Sequence, residues 1–132
     1  MFATHIEVLK ERYASSSVTL DVSVHESLVL PGVFLAHLTH TGHFNNDFRN
    51  VRVVFDSPYP PGVSWSHASD VSIHLLPPSQ FEISAGHIAR AMTIEVRLYA
   101  AHGSLFHIAE AWHGPVRLTL QGLHLPARAT SW

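Results

Sequence analysis

From Ser17 onward, apolar and polar residues alternate with a period of two. In the run Val18-Thr19-Leu20-Asp21-Val22-Ser23-Val24-His25, the apolar residues fall on one face and the polar residues on the other. That is the pattern of a strand with one buried and one wet face. The same phase recurs at Phe34, Ala36 and Leu38, then at Val51, Val53 and Phe55, and then at Val71, Ile73 and Leu75. It returns at Met92, Ile94, Val96 and Leu98, around residues 105–108, and at Val116, Leu118 and Leu120. Turn chemistry separates the runs: Leu30-Pro31-Gly32, a polar loop over residues 42–50, a proline-rich stretch over 57–62, Pro77-Pro78 and Gly114-Pro115. Such a chain is all-β. Strands with one solvated face build antiparallel sheets, and two such sheets bury their apolar faces against each other. The pattern predicts a β-sandwich of about seven strands.

The first residues read differently. Thr4 can cap a helix, and Glu7, three residues later, completes a capping box. Ile6, Leu9 and Tyr13 then share one face of a helix, and Ser15-Ser16-Ser17 ends it. The expected layout is an N-terminal helix over residues 1–16, a sandwich over 17–123 and an irregular tail over 124–132. No linker or repeat divides the chain, so it reads as one domain.

The middle of the chain carries a further pattern. Leu30-Pro31-Gly32 precedes a strand that ends in His40-Thr41-Gly42. A loop follows, then Asn50-Val51-Arg52-Val53-Val54-Phe55 and a proline-rich segment. Residues 76–98 place a turn before a long strand. This arrangement resembles the Ig-like adhesion and ear-type modules. The resemblance covers about 70 residues and implies an Ig-like sandwich with a binding or scaffolding role. It brings no catalytic residues. The chain departs from antibody-type domains in having no cysteine pair.

Composition sharpens what is excluded. Charged residues are 14% of the 132 and apolar residues 46%, far from the composition of a disordered chain. No apolar run reaches the length of a membrane-spanning helix. Nothing at the N-terminus resembles a secretory signal, so a cytoplasmic location is expected. Net charge is −2, with eight basic residues and no basic run. That is not the footprint of a nucleic-acid binder. Without cysteine, disulfides, thiol catalysis and thiolate metal sites all fall away.

The unusual number is twelve histidines, whose full protonation would carry net charge from −2 to +10. Imidazole is a ready ligand for zinc and copper, and His37, His40 and His43 form the nearest cluster in sequence. Strand alternation, however, sends His37 and His40 to opposite faces. A second set is His102, His107, Glu110 and His113; of these, His107, Glu110 and His113 would lie along one side if residues 105–112 were helical. His25, His37 and His74 occupy polar-phase positions on three strands. Cross-strand neighbours among them would form a surface metal site or a pH-responsive patch.

Loop aromatics suggest a carbohydrate surface. Tyr59, Trp65 and Trp112 could stack on sugars, with Asn45, Asp47 and Arg49 as polar partners. No nucleophile elbow, zinc-protease motif or phosphate loop is present, so the reading is non-enzymatic. The expectation is a protein-binding or self-assembling module, commonly a homo-oligomer, with no nucleic-acid partner and no membrane insertion. A zinc- or copper-binding module and a carbohydrate-binding domain are the alternatives.

Overall fold

The computed structural model describes residues 4–15, 18–41, 48–56, 63–66, 71–76, 78–88, 92–124 and 128–129. Its strands are β1 (His5–Ala14), β2 (Thr19–Ser27), β3 (Val33–His40), β4 (Phe48–Asp56), β5 (Val63–Ser66) and β6 (Val71–Leu76). There follow β7 (Gln80–Ile88), β8 (Thr93–Tyr99), β9 (His107–His113), β10 (Val116–Arg117), β11 (Thr119–His124) and β12 (Arg128–Ala129). They form two antiparallel sheets. The larger has seven strands in the order β11-β1-β2-β3-β8-β5, with β12 also pairing β1; the smaller runs β10-β9-β4-β7-β6. The all-β expectation holds, in a sandwich-like arrangement.

The N-terminal helix is not formed. Residues 5–14 are a strand, paired with β2 from His5↔Ser27 to Ala14↔Thr19. The apolar spacing of Ile6, Leu9 and Tyr13 fits a helix only if Glu7 and Glu11 face water. Here Leu9, Glu11 and Tyr13 alternate inward, and Glu7 is also buried. Glu11 is accommodated because the Tyr13 hydroxyl donates to its Oε2 at 2.8 Å. Burial, and then that hydrogen bond, raise the Tyr13 pKa well above its ordinary value. A long ladder to β2 outweighs local helix propensity, which is a weak prior. At the other end of the chain, Arg128 and Ala129 pair with Glu7 and Ile6, so this part of the expected tail joins the large sheet.

The inward phases meet between the sheets. Phe34 from β3, Phe55 from β4, Phe81 from β7 and Phe106 just before β9 are all fully buried. Phe55 and Phe81 stack at 4.8 Å and 5°. Phe106 packs edge-on against both Phe34 at 4.9 Å and Phe81 at 6.0 Å. These rings join the two sheets into one core, together with Leu20, Val22, Val24, Ala36, Leu38, Val53, Ile83, Val96 and Leu98. The expected alternation in the last run is only partly used. Leu118 is buried, whereas Val116 and Leu120 are exposed.

One end of the sandwich is organised by a buried carboxylate. Glu26, at 2% exposure, sits on the inward phase of β2. Its Oε2 accepts from the Gly32 N–H at 3.0 Å and from His102 Nδ1 at 2.6 Å, and its Oε1 accepts from the Gly103 N–H at 3.0 Å. One side chain thus ties the β2–β3 turn to the β8–β9 connection. Gly32 is required there twice over. Its φ is +87°, and a Cβ would stand 2.8 Å from the Ala100 carbonyl oxygen.

Candidate functional site

The outward face of the large sheet gathers histidines that are far apart in sequence. The register places Glu7 opposite His25, His25 opposite Leu35, and Leu35 opposite Arg97. One step along the strands, Ser23 faces His37 and His37 faces Glu95. One step the other way, His5 faces Ser27. His5, His25 and His37 therefore lie on a diagonal across β1, β2 and β3. The His25 ring is 6.2 Å from that of His5 and 6.0 Å from that of His37. Diagonal cross-strand neighbours are within reach of side chains of this length. The three imidazoles and Leu35 line an open cavity of about 210 Å³.

Each imidazole is held differently. His37 Nε2 stands 2.9 Å from Glu95 Oε2. His5 Nδ1 stands 2.8 Å from the Thr4 hydroxyl. Among the described residues, neither ring nitrogen of His25 has a hydrogen-bond partner. Burial lowers the pKa of His25, repulsion from His37, His5 and Lys10 adds to this, and Glu7 opposes it.

A pH dependence follows from that direction. Unfolded, the His25 ring takes a proton near pH 6.5; folded, it does so only at lower pH. The unfolded state thus binds the proton first, and stability falls as pH drops below about 6.5. The melting temperature of the wild type is expected to fall further between pH 7.5 and 5.5 than that of His25→Gln. Equal losses in the two proteins would refute this role for His25.

The residues singled out from sequence are distributed as follows. His37 belongs to the diagonal. His40, from the same strand, is buried on the opposite face, so the structure does not bring the two together. His43, Asn45, Asp47 and Tyr59 lie outside the described residues, as do the side chains of Arg49 and Trp65. Trp112, on the outward face of the small sheet, lies beneath Arg52 and Arg117, whose guanidinium carbons are 5.4 and 5.9 Å from the ring centroid. Residues 107–113 are a strand rather than a helix, so His107, Glu110 and His113 do not share a helical side. His102 instead supports Glu26. His113 has a lowered pKa, from burial first and then from repulsion by His40. Among the described residues, no three histidine, aspartate or glutamate side chains stand ready around a common metal position.

His5 was missed because residues 5–14 read as a helix. Once that segment is a strand, His5 and Glu7 take the same phase as His25 and His37, although Glu7 itself is buried there. Among the described residues, no helix is long and apolar enough to cross a membrane.

The sheet edges differ in how they are protected. Among the described residues, β9 is covered on its free side by the two-residue β10 alone, but it is bulged where Val54 and Phe55 of β4 face it, and it carries Glu110. The outer side of β1 is covered by β11 and β12, with a register shift between Glu11 and Tyr13. β5 is four residues long. β6 is different. Its six residues, VSIHLL, pair with β7 in unbroken register and contain no charged residue and no proline. Leu75, on the same phase as the half-buried Val71 and Ile73, is 55% exposed.

Comparison with family models, with curated proteins and with solved structures finds no match to this chain.

Proposed function

We propose that this chain is a non-enzymatic protein-binding module, an Ig-like sandwich, that associates with itself by adding strands at the β6 edge. The observation that carries the reading is β6 itself: a regular, uncharged outer strand of the small sheet. An outer strand presents unpaired N–H and C=O groups, and proteins ordinarily blunt it with lysine, proline or a bulge. β6 has none of these. A second copy in antiparallel orientation would satisfy the backbone groups and cover Leu75. The molecule's charge supports this, since a net charge of −2 gives little colloidal repulsion. The turn at Leu28, Val29 and Leu30, exposed by 41%, 73% and 58%, adds apolar surface suited to a partner. A six-residue ladder is small beside the roughly 1,200 Å² at which specific interfaces begin. Association through it alone is therefore reversible and concentration-dependent.

Sedimentation velocity over a concentration series tests the reading. The wild type is expected to shift from monomer to dimer. Ser72→Lys with His74→Lys, both at exposed positions of β6, places charge on the edge and is expected to hold the chain monomeric without altering its melting temperature appreciably. A wild type that stays monomeric throughout, or a double variant that dimerises as well as the wild type, would contradict it.

A further inference from the structure

The end of the sandwich that Glu26 organises carries an apolar surface of its own, independent of the β6 edge. The turn between β2 and β3 exposes three consecutive large apolar side chains, Leu28, Val29 and Leu30, the middle one by 73%. Beside it, Tyr99 is partly exposed opposite Val33, and Leu105 is exposed in the β8–β9 connection. From Ser27 to Phe34 and from Leu98 to Ile108 the chain holds no lysine, arginine, aspartate or glutamate. We infer that these two turns dock the protein on the surface of a lipid bilayer, seating Leu28, Val29, Leu30 and Leu105 among the headgroups. This is interfacial docking by a turn, and the sheets stay in water. It involves no spanning segment of the kind that hydropathy excludes.

The backbone of the turn decides for lipid over a protein strand. An apolar medium penalises N–H groups that lack an internal acceptor. The Leu28 N–H donates to the Thr4 carbonyl at 2.8 Å, and the Leu30 N–H to Ser27 Oγ at 3.0 Å. The Gly32 N–H donates to Glu26 Oε2 at 3.0 Å, and the Val33 N–H to the Leu30 carbonyl at 3.1 Å. Pro31 has no N–H. In the second turn, the Gly103 N–H donates to Glu26 Oε1 and the Ser104 N–H to the Ala101 carbonyl, each at 3.0 Å. A partner that added a strand would need such groups unpaired; here they are spent inward, and the apolar side chains point out. Charge selects the kind of bilayer. With no basic residue in either turn, nothing draws the protein to anionic lipid, so a zwitterionic surface suffices. Asp56, opposite His107 on the small sheet, confines the docking surface to the two turns. Tyr99 stands at their base, where an aromatic ring with a polar tip suits the headgroup level.

The test is flotation with phosphatidylcholine vesicles over a series of lipid concentrations, at about 0.15 M salt. The wild type is expected to float with the vesicles, the bound fraction rising with lipid, and added phosphatidylserine should not raise it. Val29→Asp should lower the partition about tenfold or more, since it replaces a transferred apolar side chain by a charge. Val29→Leu should keep it. Val116→Asp, at an exposed apolar position of β10 beside His113, at the opposite end of β9 from His107, should float as the wild type does. The double variant Ser72→Lys with His74→Lys should also float, which separates this inference from self-association at β6. Melts without lipid establish that each variant folds. A wild type that stays out of the lipid fraction, or a Val29→Asp that floats equally well, would overturn the assignment. Loss of self-association in Val29→Asp, with no flotation of the wild type, would give the turn to a second copy instead.

Discussion

Replacing Glu26 by alanine is expected to destabilise the fold by about 3–5 kcal/mol, the range seen when one partner of a buried charged cluster is removed. The Gly32 and Gly103 N–H groups, whose bonds are only partly buried, would lose their carboxylate acceptor, and a hydrogen bond to a charged group contributes about 1.5–3 kcal/mol. His102 contributes less to the loss, because its side chain is 65% exposed and can turn to water. Glu26→Gln should fall between wild type and alanine, since the amide keeps one acceptor and sets an NH2 against a backbone donor. Acid acts on the same knot. Burial alone would raise the Glu26 pKa, but the hydrogen bonds from Gly32, His102 and Gly103 outweigh it and leave the pKa below its ordinary value. Its contribution is present above about pH 4.3 and is lost as pH falls from there through the folded pKa. Urea unfolding of the three proteins decides the point. An alanine variant within 1 kcal/mol of wild type would show that the two turns hold without the carboxylate.

Phe81→Ala is expected to cost a comparable amount, about 3–5 kcal/mol. Phe81 is fully buried, stacked on Phe55 and edge-on to Phe106, so its removal leaves a cavity at the contact between the sheets. For a domain whose total stability is about 5–15 kcal/mol, that is a large fraction. Phe81→Leu should cost distinctly less, since it refills most of the volume and forfeits mainly the ring–ring contacts, worth about 0.5–1.5 kcal/mol each. Thermal melts of both variants provide the check. Equal losses would mean that the stacked rings contribute no more than their bulk.

The strands with clean alternation were legible from sequence, because their inward positions are uniformly apolar. Leu20, Val22 and Val24 in β2 and Ile94, Val96 and Leu98 in β8 are of this kind. β1 was not legible, because its inward phase holds Glu11 beside Leu9 and Tyr13, and a carboxylate reads as a surface residue until its hydrogen bond is known. β7 alternates at Phe81, Ile83 and Ala85, but Ser84 and Gly86 beside a small Ala85 weaken the pattern.

The candidate site was legible only in part. Strand phase puts His25 and His37 on wet faces, and their proximity depends on β2 pairing β3. His5 needed the corrected β1. The spacing of His37, His40 and His43 drew attention by nearness in sequence, whereas the sheet register, which is non-local, decides which imidazoles meet. The edge position of β6 is likewise a property of strand order, which a period of two does not encode.

The central claim is that β6 is where this chain meets its partner. Amide hydrogen exchange, followed strand by strand as protein concentration is raised, tests it most directly. Self-association through β6 predicts rising protection of the β6 amides that point away from β7, with β4 and β7 unchanged. Protection of β6 that does not depend on concentration, or a rise confined to other strands, would contradict it.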